Sequence, residues 1–393
     1  MSTTKCRAVV IGGGYAGVMA ANRMQGSAEV DVTLVNPRPV FVERIRLHQL
    51  AIDDDDAIED YGSLLNPDVE LVVDSAERIV ASQRRVVLAS GATLEYDYLV
   101  YAVGSTGHVP SAVWGAAEHA YPIGELEQAQ RLRSRLAVLP LSSPVTVVGG
   151  GLTGIETASE LAEAGRRVTL VSDAIAPTLS TPGRRSVTRQ LAARGVTLVE
   201  GSGAAVAAVT GDRLQLADGR VLPSEVTVWT AGFSVPQLAA SSGLSTDSCG
   251  RLLTDETLTS VDDARIIAAG DAAAPSDMPF RMSCQSGLPL GAHAGDTVVA
   301  RWGSGRVTEV SVPMYAQCIS VGRTGGTVQV QRSDDTPRRL YVGGRAGALI
   351  KERVCRQTLQ WMRGEARKPG SYRMPKGPER AGTIASPHVS GAS

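Results

Sequence analysis

The sequence is poor in cysteine, in aromatic residues, in long hydrophobic runs and in net charge. Its five cysteines, Cys6, Cys249, Cys284, Cys318 and Cys355, include no Cys-x-x-Cys or other close pair. A disulfide framework, a zinc ribbon and a dithiol active site find no support in that spacing. No apolar run approaches the ~18 to 20 residues of a spanning helix, so no integral membrane segment is expected. The first expected strand, from Ala8, leaves no room for the apolar region of a signal peptide, which makes the expected location cytoplasmic. Lys and Arg number 39 against 40 Asp and Glu, for a net charge of −1. With so few aromatics to interleave as stacking platforms, no nucleic-acid partner is expected. The run Asp53–Asp56 has no spaced ligand pattern and reads as a solvated loop, so no metal is expected.

Glycine, by contrast, is abundant: 42 of 393 residues, above the usual ~7%. The surplus is punctuated. The β-branched run Ala8–Ile11 ends in Gly12-Gly13-Gly14-Tyr15-Ala16-Gly17, then a helical stretch to Met24 and an apolar run, Val30–Val35. The unit recurs as Val145–Val148, then Gly149-Gly150-Gly151-Leu152-Thr153-Gly154, a helix over Ile155–Ala164 and a strand over Arg167–Val171. In each copy the first Gly permits the tight turn, the second lets backbone approach a pyrophosphate, and the third lets helix pack on strand. Two copies imply two dinucleotides. Further strands open into small-residue turns at Tyr96–Ser105, Glu225–Phe233 and Ala264–Asp271. Beyond about residue 303, short runs at Val307–Val312, Gln317–Val321, Thr327–Val330 and Leu340–Val342 suggest a smaller antiparallel domain.

The order of these motifs resembles that of flavoproteins with two dinucleotide-binding domains, the pyridine nucleotide-disulfide oxidoreductase type. Within them it is most similar to the branch of type II NADH dehydrogenases and apoptosis-inducing-factor-like reductases. The resemblance implies an α/β fold with two Rossmann-like dinucleotide-binding domains, glutathione-reductase-like, plus a small α+β C-terminal domain. FAD would occupy a domain made of 1–108 and 236–302, NADH or NADPH an inserted domain over 109–235, and 303–366 would close the flavin site. Residues 367–393, rich in Pro, Gly, Ser and basic residues, are expected to be a mobile tail.

Carried over motif by motif, the FAD contacts would be Gly12, Gly14, Tyr15, Ala16, Gly17, Asn36, Ala102, Gly104, Gly270 and Asp271. The nicotinamide nucleotide would meet Gly149, Gly151, Thr153, Gly154, Ser172 and Gly232. Glu156 matches an acid that lies near the nicotinamide in such reductases. Ser283 and Gln285 begin a helix whose N-terminus would face the flavin and stabilise its reduced form, with Gln285 in contact with flavin or acceptor. Arg44 and His48, in the loop Pro37–Leu50, would steady the ring and relay a proton. The activity implied is hydride transfer from NAD(P)H to flavin, with electrons passed on to a quinone-like small acceptor. The alternatives are a soluble flavin-dependent oxidase or dehydrogenase acting on an aromatic or quinonoid metabolite, and, further off, a redox-sensing or nucleic-acid-binding flavoprotein.

Two departures stand out. Asn36 and Ser172 replace the acid that usually ends the second strand and binds the ribose 2′-OH. Without a carboxylate at Ser172, Arg184 and Arg185 could supply charge for NADP, while Asp173 argues for NAD. The other feature is charge asymmetry. Ten Lys/Arg and three Glu lie between Arg345 and Arg380. Within this stretch Ile350, Val354, Thr358, Trp361 and Met362 fall near one helical face, with Lys351, Arg353 and Arg356 off it. Such a helix over 345–368 suits peripheral contact with the inner face of a membrane, or equally packing on its own domain or against a second subunit in a homodimer.

Overall fold

The computed structural model describes residues 5–373 and 375–380. The apolar run Cys6–Ile11 is buried almost throughout, as suits the centre of a parallel sheet covered on both faces. It pairs with Val30–Asn36 on one side and Tyr98–Tyr101 on the other, and Glu70–Val73 and Ile266–Ala268 form the edges. All these pairings are parallel. Helix α1 (Tyr15–Met24) crosses from the central strand to the next. A second five-stranded parallel sheet repeats the plan, ordered Ala120–Pro122, Val226–Trp229, Pro144–Val148, Arg167–Ser172, Thr197–Glu200. Helix α2 (Leu152–Glu163) follows its central strand as α1 follows the first.

Helix α3 (Cys284–Trp302) lies against α1 at unusually close range. A Cβ at Gly291 would stand 2.1 Å from the Ala16 carbonyl oxygen, and one at Gly295 2.9 Å from that of Ala20. Only glycine allows the two backbones to approach so far.

The C-terminal part holds an antiparallel sheet, Ala316–Ser320, Gly326–Gln331 and Pro337–Gly343. The strand expected at Val307–Val312 does not form: Val310 and Val312 bury in the first core, and the Val310 N–H is taken by the Glu256 carbonyl rather than by a strand edge. The sheet is covered by α4 (Gly344–Arg367). A Cβ at Gly347 would be 2.7 Å from the Gly326 carbonyl oxygen, so this residue sets which side of α4 faces inward. The expected apolar stripe is thereby split. Thr358 and Met362 are buried with Cys355 and Leu359, whereas Ile350, Val354 and Trp361 are 38–40% exposed beside Leu349 at 74%.

Residues expected to begin a mobile tail are packed. The Glu365 carboxylate accepts from the Gly370 and Tyr372 N–H groups, both at 2.7 Å, and pairs with Arg23. Arg380 pairs with Glu256 at 2.7 Å. The rest of that expectation, residues 381–393, lies outside the described residues. Among the described residues no helix is long and apolar enough to cross a membrane.

Candidate functional site

The two glycine loops divide their labour in the same way. Gly12 and Gly149 take left-handed φ of +103° and +118°, and a Cβ would lie 2.3 Å from the Ala102 carbonyl oxygen and 2.6 Å from Thr230 Oγ1. At Gly17 and Gly154 a Cβ would come within 1.8 Å of the carbonyls of Gly12 and Gly149, so helix and turn touch through them. Gly14 and Gly151 differ: nothing lies within 4 Å of their built Cβ. Each is the N-cap residue of its helix and supplies no side-chain cap. The first N–H groups of α1 and α2 thus face open space, as an anion-binding helix terminus requires.

Asn36 and Ser172 occupy matching places behind the middle glycines. Asn36 accepts from the Gly13 N–H at 3.0 Å and donates to the Arg38 carbonyl at 2.8 Å, which fixes the first loop. Ser172 donates to the Ala174 carbonyl at 2.9 Å. Arg184 is already engaged: it donates to the Ile175 carbonyl at 3.0 Å and to Glu200 at 2.7 Å.

Residues of both glycine motifs and of the helices they begin meet in one chamber. Gly14, Tyr15 and Ala16 from the first and Thr153 and Glu156 from the second line it, together with Arg44, His48, Gly270, Asp271, Ser283 and Gln285. A contiguous groove runs past Gly12, Asn36, Ala102 and Gly104 and shares Gly14 and Arg44 with the chamber. Gly17, Gly149, Gly151, Gly154, Ser172 and Gly232 line neither space. Arg44 and Asp271 are joined through Ser105, which donates to Asp271 at 2.7 Å and accepts from Arg44 at 3.2 Å. The N-terminus of α3 opens on the chamber, with Ser283 capping the Ser286 N–H at 3.3 Å. With its amide turned to suit both partners, Gln285 donates to the Ala316 carbonyl and accepts from the Tyr315 N–H, tying that helix end to the C-terminal sheet.

The chamber wall also holds a residue that sequence reasoning placed elsewhere. Lys351, on the inner face of α4, reaches Glu156 at 3.1 Å, with side chains 16% and 9% exposed. Ser320 donates to the same Glu156 oxygen from its N–H at 3.0 Å and its hydroxyl at 3.2 Å. Burial works to raise the Glu156 carboxyl, but Lys351, His48 and the Ser320 N–H outweigh it and hold the group below the ordinary glutamate range. Burial works to lower Lys351, and Glu156 outweighs it, so the ammonium stays charged. His48 is pushed down to about 4 by burial and is neutral at physiological pH. One turn beyond Glu156, Glu160 is fully buried, and burial pushes its carboxyl up to about 7. Among the described residues no cluster could hold a metal ion.

Comparison with known proteins agrees with this architecture. The family model described as pyridine nucleotide-disulphide oxidoreductase matches residues 6–297. An NADH dehydrogenase-like protein of Mycobacterium tuberculosis is 32% identical over 350 residues, covering 81% of this chain and 86% of that protein. A demethylphylloquinone reductase of Synechocystis is 25% identical, over 70% of this chain and 74% of that one. The structure of an NDH2 from Plasmodium falciparum in complex with NADH has the same fold, with a TM-score of 0.75, 14% identity and coverage of 94% and 99%.

Proposed function

The chain belongs to the pyridine nucleotide-disulphide oxidoreductase family and is an NADH dehydrogenase-like oxidoreductase; from that premise we propose that it is an FAD-dependent NADH dehydrogenase with a quinone-type acceptor. One observation carries the reading: residues of both glycine motifs and of the helices they begin, Gly14, Tyr15 and Ala16 from the first and Leu152, Thr153 and Glu156 from the second, open on a single chamber. A dinucleotide on each loop would bring its reactive ring to that space. FAD, when bound, supplies two-electron chemistry between reduced nicotinamide and the acceptor.

The residues present fit this group. The open face of Gly14 and the uncapped N–H groups of α1 would hold the pyrophosphate, with Gly12 and Gly17 shaping the loop. Asp271, fixed by Ser105, would hold the ribityl chain, and the N-terminus of α3 would offer its dipole to the ring. Gly151 and the start of α2 would hold the pyrophosphate of the second nucleotide. NADH is favoured over NADPH because Arg184, the first cation after Ser172 in the sequence, is already committed to Glu200 and the Ile175 carbonyl.

Glu156 keeps Lys351 protonated, so the ammonium presents a fixed positive charge to an acceptor oxygen that gains electron density. The half-exposed Ile350, Val354 and Trp361, flanked by Arg353 and Arg356, supply an apolar, basic face beside this wall, and Val354 reaches the chamber itself. That face suits an acceptor dissolved in a membrane. The relative in Synechocystis is named a quinone reductase, which favours the same class.

The test is anaerobic mixing of the purified yellow protein with NADH or NADPH, followed by a soluble naphthoquinone. Bleaching by NADH ahead of NADPH, and recovery of colour with quinone, are expected. Absence of bleaching by either nucleotide would sink the reading.

A further inference from the structure

Glu160 has no part in the reading above, yet its surroundings are unusual. Its side chain is 0% exposed, and its Oε2 has no hydrogen-bond partner. Four groups from three other parts of the fold and from its own helix face it. Arg323, in the turn between Ala316–Ser320 and Gly326–Gln331, reaches Glu160 Oε1 at 3.4 Å. His48, on the short helix Leu47–Leu50, stands 3.9 Å from the same oxygen with its Nε2 unpartnered. Asp54, in the loop beyond that helix, and Glu163, on α2, add negative charge. Glu156 lies one helical turn nearer the chamber.

These groups sit between two spaces. His48 lines the chamber. Arg323 lines a separate cleft with Gln49, Ser320, Lys351, Glu352 and Cys355, and its side chain is 38% exposed. Reduction of a quinone by NADH consumes NADH, quinone and one proton and yields NAD+ and quinol, so each turnover draws one proton from solvent. Lys351 is a poor source, since Glu156 holds its proton firmly.

We propose that Glu160 is the proton-holding station of the oxidoreductase, filled from the Arg323 cleft and emptied through His48 into the chamber. The inference rests on the quinone-type reading. The 3.9 Å between His48 Nε2 and the Glu160 carboxyl is the one gap the proton has to cross between them. The imidazole takes the proton at one nitrogen and releases one from the other, so it carries protons without remaining charged. Burial supplies the right poise: a carboxyl raised to about 7 is half protonated at neutral pH, the best state for repeated loading and release.

The experiment compares the wild-type holoenzyme with Glu160→Gln and Glu160→Asp in three measurements. In infrared titration of the resting protein, wild type shows protonated-carboxyl absorption that titrates near neutral pH, shared by Glu160 and by Glu43, which burial also pushes up to about 7, and Glu160→Gln loses the Glu160 share of it. In anaerobic bleaching by NADH, a step that needs no solvent proton, all three proteins match. In reoxidation by a soluble naphthoquinone, Glu160→Gln is slower by roughly 10²-fold, the low end for a positioned proton donor, and Glu160→Asp recovers part of the rate. An unchanged carboxyl band in Glu160→Gln, or an unchanged reoxidation rate, overturns the inference and leaves the enzyme reading intact. Failure of the wild type to bleach overturns both.

Discussion

Replacing Lys351 with methionine removes the cation from the Glu156 pair and keeps most of the side-chain volume. Breaking a buried pair from one side costs about 3–5 kcal/mol, because the remaining charge is left uncompensated. The low end applies here: Lys351 retains 16% exposure, and Ser320 still donates twice to Glu156. At about 2.1 cal/mol/K of unfolding entropy per residue, 393 residues give roughly 0.8 kcal/mol/K, so about 3 kcal/mol lowers Tm by roughly 4 °C. The sign with pH is fixed. In the wild type Glu156 lies below its ordinary 4.5, so its stabilisation is present above that value and lost as pH falls. In Lys351→Met, burial is no longer outweighed and Glu156 rises above 4.5, so the variant loses stability as pH rises. Calorimetry on both proteins across pH 4 to 8 checks this: the Tm gap should be small at the acid end and reach its full size near neutrality. A gap that is constant with pH, or absent at pH 7, refutes the account of the pair.

Three further outcomes are expected. Gly14→Ala, with nothing within 4 Å of the new methyl, keeps Tm but weakens flavin retention on a desalting column, whereas Gly17→Ala, 1.8 Å from the Gly12 carbonyl oxygen, loses about 1–3 kcal/mol of stability in thermal melts as well. Glu200→Gln releases Arg184 from its anionic partner, and the ratio of bleaching rates with NADPH and NADH rises on the order of tenfold, equivalent to about 1.4 kcal/mol; an unchanged ratio removes Arg184 from nucleotide choice. Glu365→Gln weakens the carboxylate that holds the Gly370 and Tyr372 N–H groups and pairs with Arg23, so limited proteolysis after residue 367 speeds up and Tm falls as the buried pair is broken from one side.

The two halves of the fold were legible because the chemistry that marks them is local. A β-branched strand, a glycine turn and a small-residue helix lie within about twenty residues, and no distant contact is needed to read them. Glu156, Arg44, His48 and Gln285 were legible as chamber residues for the same reason: each sits at a fixed offset from a motif. Lys351 was not. On the sequence it lies in a basic stretch between Ile350 and Glu352, and its inward direction is set by the contact of Gly347 with Gly326 and by a carboxylate in the other half of the chain. Glu160 carries no mark in the sequence, because the groups that face it, His48 and Arg323, come from segments remote in sequence. The missing strand at Val307–Val312 has a similar cause, since alternating valines mark burial and do not say whether a strand edge is there to pair with.

The position of Ile266–Ala268 has a consequence for synthesis. The first sheet receives this edge strand, and α1 its close neighbour α3, only after the entire second sheet has been made. A ribosome therefore releases the two nucleotide-binding units in inverted order of completion. The later-starting sheet, contiguous from Ala120 to Trp229, has all its strands first, and the earlier-starting one waits with an unpaired edge at Tyr98–Tyr101 until residue 268 emerges. The inserted half thus has its whole sheet while the outer half still lacks one strand.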